Sequence, residues 1–174
     1  MNGAFGIGKT TVARLLRERT PGSALFDPEL LGLALRRLPG FVPLEGRGTD
    51  DFQDLALWRR GTVQGIRLVR ALRATVIVPQ AFSNLAYLRE LTAGVRLFEP
   101  RVRHFCLVAP FAVVRARLEK RGLDPARDSG AWQLRRAAEC CAAHGSPGFS
   151  EQIATEEASA ADVASAIAAR LEEA

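Results

Sequence analysis

Residues 3–10 read Gly-Ala-Phe-Gly-Ile-Gly-Lys-Thr and satisfy the pattern G-x-x-x-x-G-K-[ST] at every fixed position. No other stretch constrains the fold as strongly, because such a loop normally joins the end of a buried strand to the start of a helix. Its glycines let successive backbone N–H groups converge on phosphate oxygens, while the following helix directs its positive end at the same anion. Gly3, Phe5, Gly6, Ile7, Gly8, Lys9, Thr10 and Thr11 are therefore the expected nucleotide-contacting residues. Lys9 is expected to reach the β- and γ-phosphates, and the Thr10 hydroxyl to ligate Mg²⁺. Only Met1 and Asn2 precede Gly3. The strand that feeds the loop is accordingly expected to be a stub, or to begin before this sequence does.

The 174 residues are expected to form one domain with a core that needs no staples. Hydrophobic residues make up 48% and charged residues 25%, ordinary globular usage. Arginine outnumbers lysine by 22 to two, so one of only two lysines falls inside the phosphate loop. A net charge of +5 suits nucleic acid, a membrane surface or anionic phosphate substrates. No basic run with interleaved aromatics occurs, which argues against nucleic acid as a partner. Cys106, Cys140 and Cys141 are odd in number and form no C-x-x-C pair, so neither a zinc site nor a disulfide framework is indicated. A reducing cytoplasm is the expected location. The apolar run at 105–114 is far shorter than a spanning helix, no signal-peptide pattern opens the chain, and any membrane contact is expected to be peripheral.

Apolar periodicity predicts helices at 10–19, 87–92, 111–121 and 131–143, and an alanine-rich helix within 158–174 whose Val163, Ile167 and Leu171 face the core. Short β-branched or apolar runs predict strands at 24–26, 74–79 and 104–109, with a last edge strand at 152–155. Between the second and third strands, residues 29–73 read as helical but interrupted by Pro39-Gly40, Pro43 and Gly46-Arg47-Gly48, which suggests a substrate-side insertion. A polar stretch at about 122–131 is the expected lid. The alternation of strand and helix implies a parallel, three-layer α/β/α sheet with right-handed crossovers.

What surrounds the loop selects among phosphate-loop proteins. A guanine reader is missing, since Lys120, the other lysine, sits in Glu-Lys-Arg-Gly. The strand Val76-Ile77-Val78 ends in Pro79-Gln80 rather than in an acid, which argues against a water-activating ATPase. A small-molecule kinase needs only the loop, a carboxylate near the acceptor hydroxyl and cations over the transferring phosphoryl group. Asp27, at the carboxyl end of the second strand, is the candidate base or hydroxyl orienter, with Glu29 in reserve. A turn-forming Asp before Pro28 explains Asp27 equally well. Arg117 and Arg121 share a helix face and are the candidate phosphate clamp, while Arg115 points elsewhere. Arg127 and Arg135 are candidates to complete the lid. Asp50, Asp51, Phe52, Gln53, Trp58 and Arg59 are candidates to grip an acceptor, against helix capping for the acids and core packing for Trp58. His104 and His144 have no neighbours in sequence that suggest catalysis.

With these residues in view, the chain resembles the bacterial tunicamycin-resistance family, related to small phosphate-loop kinases. The likeness rests on Asn2-Gly3-Ala4-Phe5-Gly6 with Gly8-Lys9-Thr10, then Asp27-Pro28-Glu29, Asp50-Asp51-Phe52-Gln53, Leu57-Trp58-Arg59, Ile77-Val78-Pro79, His104-Phe105, Arg117-Leu118 with Arg121, Trp132, and Asp162-Val163-Ala164. What the resemblance implies is an ATP-binding protein that protects against tunicamycin, a nucleoside antibiotic with sugar hydroxyls and a fatty acyl tail. It further implies a fold of the nucleotide and shikimate kinase type, with strand order 2-3-1-4-5 and a lid over the nucleotide. Two functions stay open: phosphoryl transfer from ATP to a hydroxyl of the drug or a related nucleoside or sugar, and ATP-dependent sequestration of the drug without modifying it.

Overall fold

Short apolar runs become parallel strands, and the amphipathic stretches between them become helices, in the computed structural model, which describes residues 1–38 and 51–172. In chain order these are β1 (Asn2–Gly3), α1 (Lys9–Arg19), β2 (Ser23–Leu25), α2 (Pro28–Arg36), a 3₁₀ turn (Phe52–Asp54), α3 (Ala56–Leu72), β3 (Thr75–Ile77), α4 (Leu85–Arg96), β4 (Phe105–Val108), α5 (Phe111–Lys120), α6 (Asp128–His144), a second 3₁₀ turn (Pro147–Phe149), β5 (Glu151–Ala154) and α7 (Ala160–Glu172). The breaks expected at Pro39-Gly40, Pro43 and Gly46-Arg47-Gly48, and the candidate Asp50, lie outside the described residues.

The strands form two parallel ladders, β1-β4-β5 and β2-β3. Of the expected order 2-3-1-4-5, these ladders contain the neighbours 2-3 and 1-4-5, and no ladder among the described residues joins β3 to β1. With two residues, β1 pairs with Cys106 and Leu107 of β4 on one side and makes a single bridge, Asn2 to Gln80, on the other. Two backbone bonds flank that bridge: the Met1 amino group donates to the Val78 carbonyl and the Gln80 N–H to the Met1 carbonyl, each at 2.9 Å.

Side chains alternate across β4 with the period of two that a strand imposes. Phe105 and Leu107 enter a core with Val12 and Leu16 of α1, Val114 and Leu118 of α5, Ala137 and Cys140 of α6, and Val163 and Ile167 of α7. Cys106 enters the opposite core with Trp58 and Ile66 of α3 and Leu88, Leu91 and Val95 of α4. Helices therefore cover both faces, as all-parallel strands require.

Local chemistry sets several helix starts that periodicity placed differently. The Asn84 carboxamide accepts from the Ala86 N–H at 2.9 Å, so α4 begins at Leu85 rather than 87. Helix α6 begins at Asp128 rather than 131, where Gly130 lies so close to the Asp124 carbonyl that a Cβ would sit 2.0 Å from its oxygen.

Two buried polar side chains brace the sheet. Asn2 is 1% exposed, accepts from the Phe82 N–H at 2.8 Å and donates to the Phe82 carbonyl at 3.0 Å. His144 Nε2 lies 2.7 Å from the same carbonyl, and burial lowers the imidazole pKa, keeping the ring neutral. Trp58, a candidate for acceptor stacking, belongs to the core: it is 1% exposed, and its indole N–H donates to the Pro28 carbonyl at 2.8 Å. Trp58→Phe removes that N–H donor and leaves space where the larger indole stood, while the Pro28 carbonyl keeps its place in the α2 ladder. We expect it to lower unfolding free energy by about 1–3 kcal/mol in chemical denaturation; an unchanged midpoint would show that this bond contributes nothing.

Candidate functional site

The phosphate loop owes its shape to two glycines. Gly6 has φ 80° and Gly8, the N-cap of α1, has φ 107°, both in the left-handed region. The Val12 N–H closes the first helical bond on the Gly8 carbonyl, so the first-turn N–H groups of Lys9, Thr10 and Thr11 have no intrahelical partner. No acidic side chain occupies that first turn, which leaves the positive end of α1 uncompensated. An anion fits here.

The Lys9 ammonium lies in the same place. It donates to the Ala4 carbonyl at 2.9 Å and sits 5.4 Å from the centroid of the Phe5 ring. Burial pushes its pKa down to about 8, and the Arg121 charge pulls in the same direction. A cation held with so little solvent gains from an arriving phosphate. Phe5 in turn packs edge-on against Trp132 of α6, centroids 5.6 Å apart, fixing the tip of the loop. Thr10 and Thr11 are exposed at the start of α1. No group of three or more His, Cys, Asp or Glu that could hold a metal occurs among the described residues. The donors present suit Mg²⁺ held by the Thr10 hydroxyl together with phosphate and water oxygens, the usual economy of this ion.

Both candidate carboxylates stand where β2 passes into α2. Asp27 caps α2, one oxygen accepting the Glu29 N–H at 3.0 Å. The turn-forming role is thus present, and it leaves the second carboxylate oxygen outside that bond. The Glu29 carboxyl is held above its usual pKa by burial and then by the Asp27 charge, while Lys9 opposes the rise. Asp27, Glu29 and Lys9 therefore share one electrostatic neighbourhood.

The arginines divide. Arg117 donates through Nη1 to the Ile7 carbonyl at 3.4 Å and to the Thr155 hydroxyl at 3.2 Å, and through Nη2 to the carbonyls of Thr155 and Glu156. It ties the loop to the connection between β5 and α7, and none of these acceptors carries charge, so its positive charge is not neutralised there. Arg121, at the C-cap of α5, is exposed, and its charge acts on Lys9. Arg115 pairs with Glu119 on the outside of α5 and Arg127 with Asp124 in the α5–α6 connection. Arg135 is exposed; its neighbour Arg136, which sequence reasoning passed over, turns inward to Asp51 and Glu139. Asp51 also caps the first 3₁₀ turn, accepting from the Gln53 N–H at 3.0 Å. Arg59 is committed to Glu90, the Gln53 carbonyl and the face of Tyr87, and Gln53 is buried against the Ala81 carbonyl. These two side chains brace the segment at 51–59 from within.

A cleft of about 770 Å³ lies elsewhere, where Thr75–Val78, His104 and Leu171 line it. Burial there holds the His104 imidazole at a pKa of about 3. Open α/β sheets bind ligands at the carboxyl ends of their strands, so the phosphate loop, which follows β1, outranks that cleft as the candidate site. No helix among the described residues is long and apolar enough to cross a membrane.

Comparison with known proteins agrees with this geometry. The AAA domain family matches residues 1–144. The structure is similar to that of a Deinococcus radiodurans tunicamycin resistance protein, at 34% identity and TM-score 0.74, covering 98% of this chain and 92% of that one. Shikimate kinase from Acinetobacter baumannii, in complex with shikimate, aligns at 16% identity and TM-score 0.54 over 99% of this chain and 90% of its own. Shikimate kinase from Bacteroides thetaiotaomicron aligns at 13% identity and TM-score 0.55 over 99% and 96%. These two establish a likeness of fold alone. No curated protein matches.

Proposed function

We propose that this chain, which belongs to the tunicamycin-resistance family and carries an AAA domain, transfers the γ-phosphoryl group of ATP to a hydroxyl of tunicamycin or a related nucleoside or sugar. One observation carries the reading: a poorly solvated Lys9 ammonium lies at an uncompensated helix start, with Asp27 and Glu29 in the same electrostatic neighbourhood. The Asn2–Gln80 bridge, which lies between the two ladders, supports the sheet order 2-3-1-4-5 that such kinases use, and 122–131 is the natural lid.

In this mechanism the backbone N–H groups of the loop and Lys9 bind the β- and γ-phosphates and stabilise the charge that moves onto the β–γ bridging oxygen. Asp27, held by its cap to α2, orients the acceptor hydroxyl and takes its proton as the new oxygen–phosphorus bond forms and the bond to the bridging oxygen breaks. Arg117, pinned beside Ile7, and Arg121, free to swing, cover the transferring oxygens. The Thr10 hydroxyl would hold Mg²⁺, which would supply neutralising charge to the phosphates. Resistance follows because a phosphorylated drug carries charge and bulk that its target does not accept.

A second reading, sequestration of the drug by the ATP-bound protein, is favoured by the end of β3, where Pro79-Gln80 offers no acid to a metal or a water. The deciding experiment incubates the protein with Mg·ATP and tunicamycin and follows the drug by mass spectrometry. Drug heavier by one phosphoryl group, absent with Asp27→Asn, is the expected product. Unmodified drug that co-purifies with the protein only when ATP is present would establish sequestration instead.

A further inference from the structure

Four residues of α6, spaced four apart, form one stripe, and each touches a different part of the molecule. Trp132 packs on Phe5 of the phosphate loop, Arg136 pairs with Asp51 of the acceptor-side segment, Cys140 Sγ reaches the Ala81 carbonyl at 3.5 Å, and His144 meets Asn2 and Phe82. The last two contacts fasten α6 to the sheet. The first two connect it to the places where nucleotide and acceptor would sit.

The Arg136 contact stands apart in its chemistry. The side chain is 16% exposed and Asp51 19%, so both charges have given up much of their water. Glu139 takes the other arm of the guanidinium, and Nε is buried with no partner among the described residues. Burial raises the Asp51 carboxyl pKa against the opposing pull of the Gln53 N–H and of Arg136. A half-desolvated ion pair with an orphaned donor is a poor way to gain stability, since an apolar pair of the same volume would serve as well or better. It is a good way to hold a carboxylate and a guanidinium in fixed orientation for a ligand rich in hydroxyls. The pair also lies near Glu29, whose raised pKa has a contribution from the Asp51 charge.

We propose that Arg136 is a positioning residue for the acceptor: through its ion pair with Asp51 it fixes the acceptor-side segment against α6, so that a hydroxyl-rich acceptor meets a preset carboxylate beside the phosphate loop. This rests on the site reading given above, and it assigns acceptor affinity to a pair outside the phosphate loop.

The test measures two dissociation constants by calorimetry: that of the non-hydrolysable ATP analogue AMP-PNP, and that of tunicamycin with the analogue present. Neither needs turnover, so the inference is tested under transfer and sequestration alike. Asp51→Asn and Arg136→Gln are each expected to weaken tunicamycin binding about tenfold or more, with AMP-PNP affinity unchanged within about twofold and the double variant no worse than the more affected single one. Arg136→Lys, which keeps the charge but not the fork, is expected to recover only part of the loss and guards against a variant that fails to fold. Variants that bind both ligands like wild type overturn the proposal. So does a loss of both affinities in step with a fall in melting temperature, which would mark the pair as structural. Wild-type protein that binds AMP-PNP but not tunicamycin overturns the acceptor reading and this inference with it; wild type that binds neither overturns the nucleotide site itself.

Discussion

Replacing Lys9 by alanine is expected to lower phosphoryl transfer by ~10²- to 10³-fold, the scale seen when one preorganised charge-stabilising donor is removed. The fold should survive the change. Burial makes the ammonium a burden to the fold and lowers its pKa to about 8 from an ordinary 10.5. Below pH 8 the folded protein carries the cost of a poorly solvated charge, and that cost is relieved as pH rises from 8 towards 10.5, where the unfolded chain still holds the proton. Alanine removes the cost and loses one bond to the Ala4 carbonyl. The same shift predicts how nucleotide affinity depends on pH. A bound phosphate favours the charged amine, so affinity should be full below about 8 and fall by up to about tenfold per pH unit above it, while Lys9→Ala shows no such slope. Titration of AMP-PNP binding between pH 6.5 and 9.5, intervals chosen to bracket that pKa, checks this. A flat wild-type profile would mean that Lys9 does not meet the phosphates.

Gly6→Ala should damage the loop in two separable ways. Its φ of 80° lies in the left-handed region, which costs a residue with a side chain roughly 1–2 kcal/mol. A Cβ would also stand 2.5 Å from Leu118 Cγ on α5, and such overpacking typically costs about 1–3 kcal/mol. Together these predict a destabilisation of about 2–5 kcal/mol and a loss of nucleotide affinity of at least about tenfold, since the N–H groups are no longer aimed. In a Leu118→Ala background, which carries a cavity cost of its own, Gly6→Ala should lose the steric share of its penalty and keep the conformational one. If Gly6→Ala costs as much in that background as in the wild type, α5 is not what confines the loop. Gly8→Ala isolates the backbone effect, because nothing lies within 4 Å of a Cβ built at Gly8.

The phosphate loop, the alternation of strand and helix, and the carboxylate at the end of β2 were legible in the sequence because each is local. A glycine spacing, a run of β-branched residues or an Asp-Pro-Glu start carries its physical meaning within a few residues. Trp58 and Arg59 looked like acceptor contacts because they are large and polar-tipped beside Asp51. Their actual partners, the Pro28 carbonyl, Glu90 and Tyr87, lie about 30 residues away along the chain. Arg135 was read as a lid candidate although Arg136 is the residue that turns inward, a distinction of one position, or 100° around a helix, which only packing decides. The four-residue spacing of Trp132, Arg136, Cys140 and His144 was available as a signal, but it looked like an ordinary helix face until its four separate partners were known.

By itself the sequence determined that residues 3–10 carry a phosphate-loop pattern and that helices would cover a parallel sheet, since both follow from the backbone preferences and apolar pattern of contiguous residues. The tertiary structure alone decided that Lys9 is poorly solvated, that Gly6 is required by Leu118, that Arg117 is pinned by Thr155, and that β1 leaves the sheet in two ladders. Each of these depends on what residues distant in the chain place beside a group, and solvation, crowding and strand pairing exist only once those residues have met.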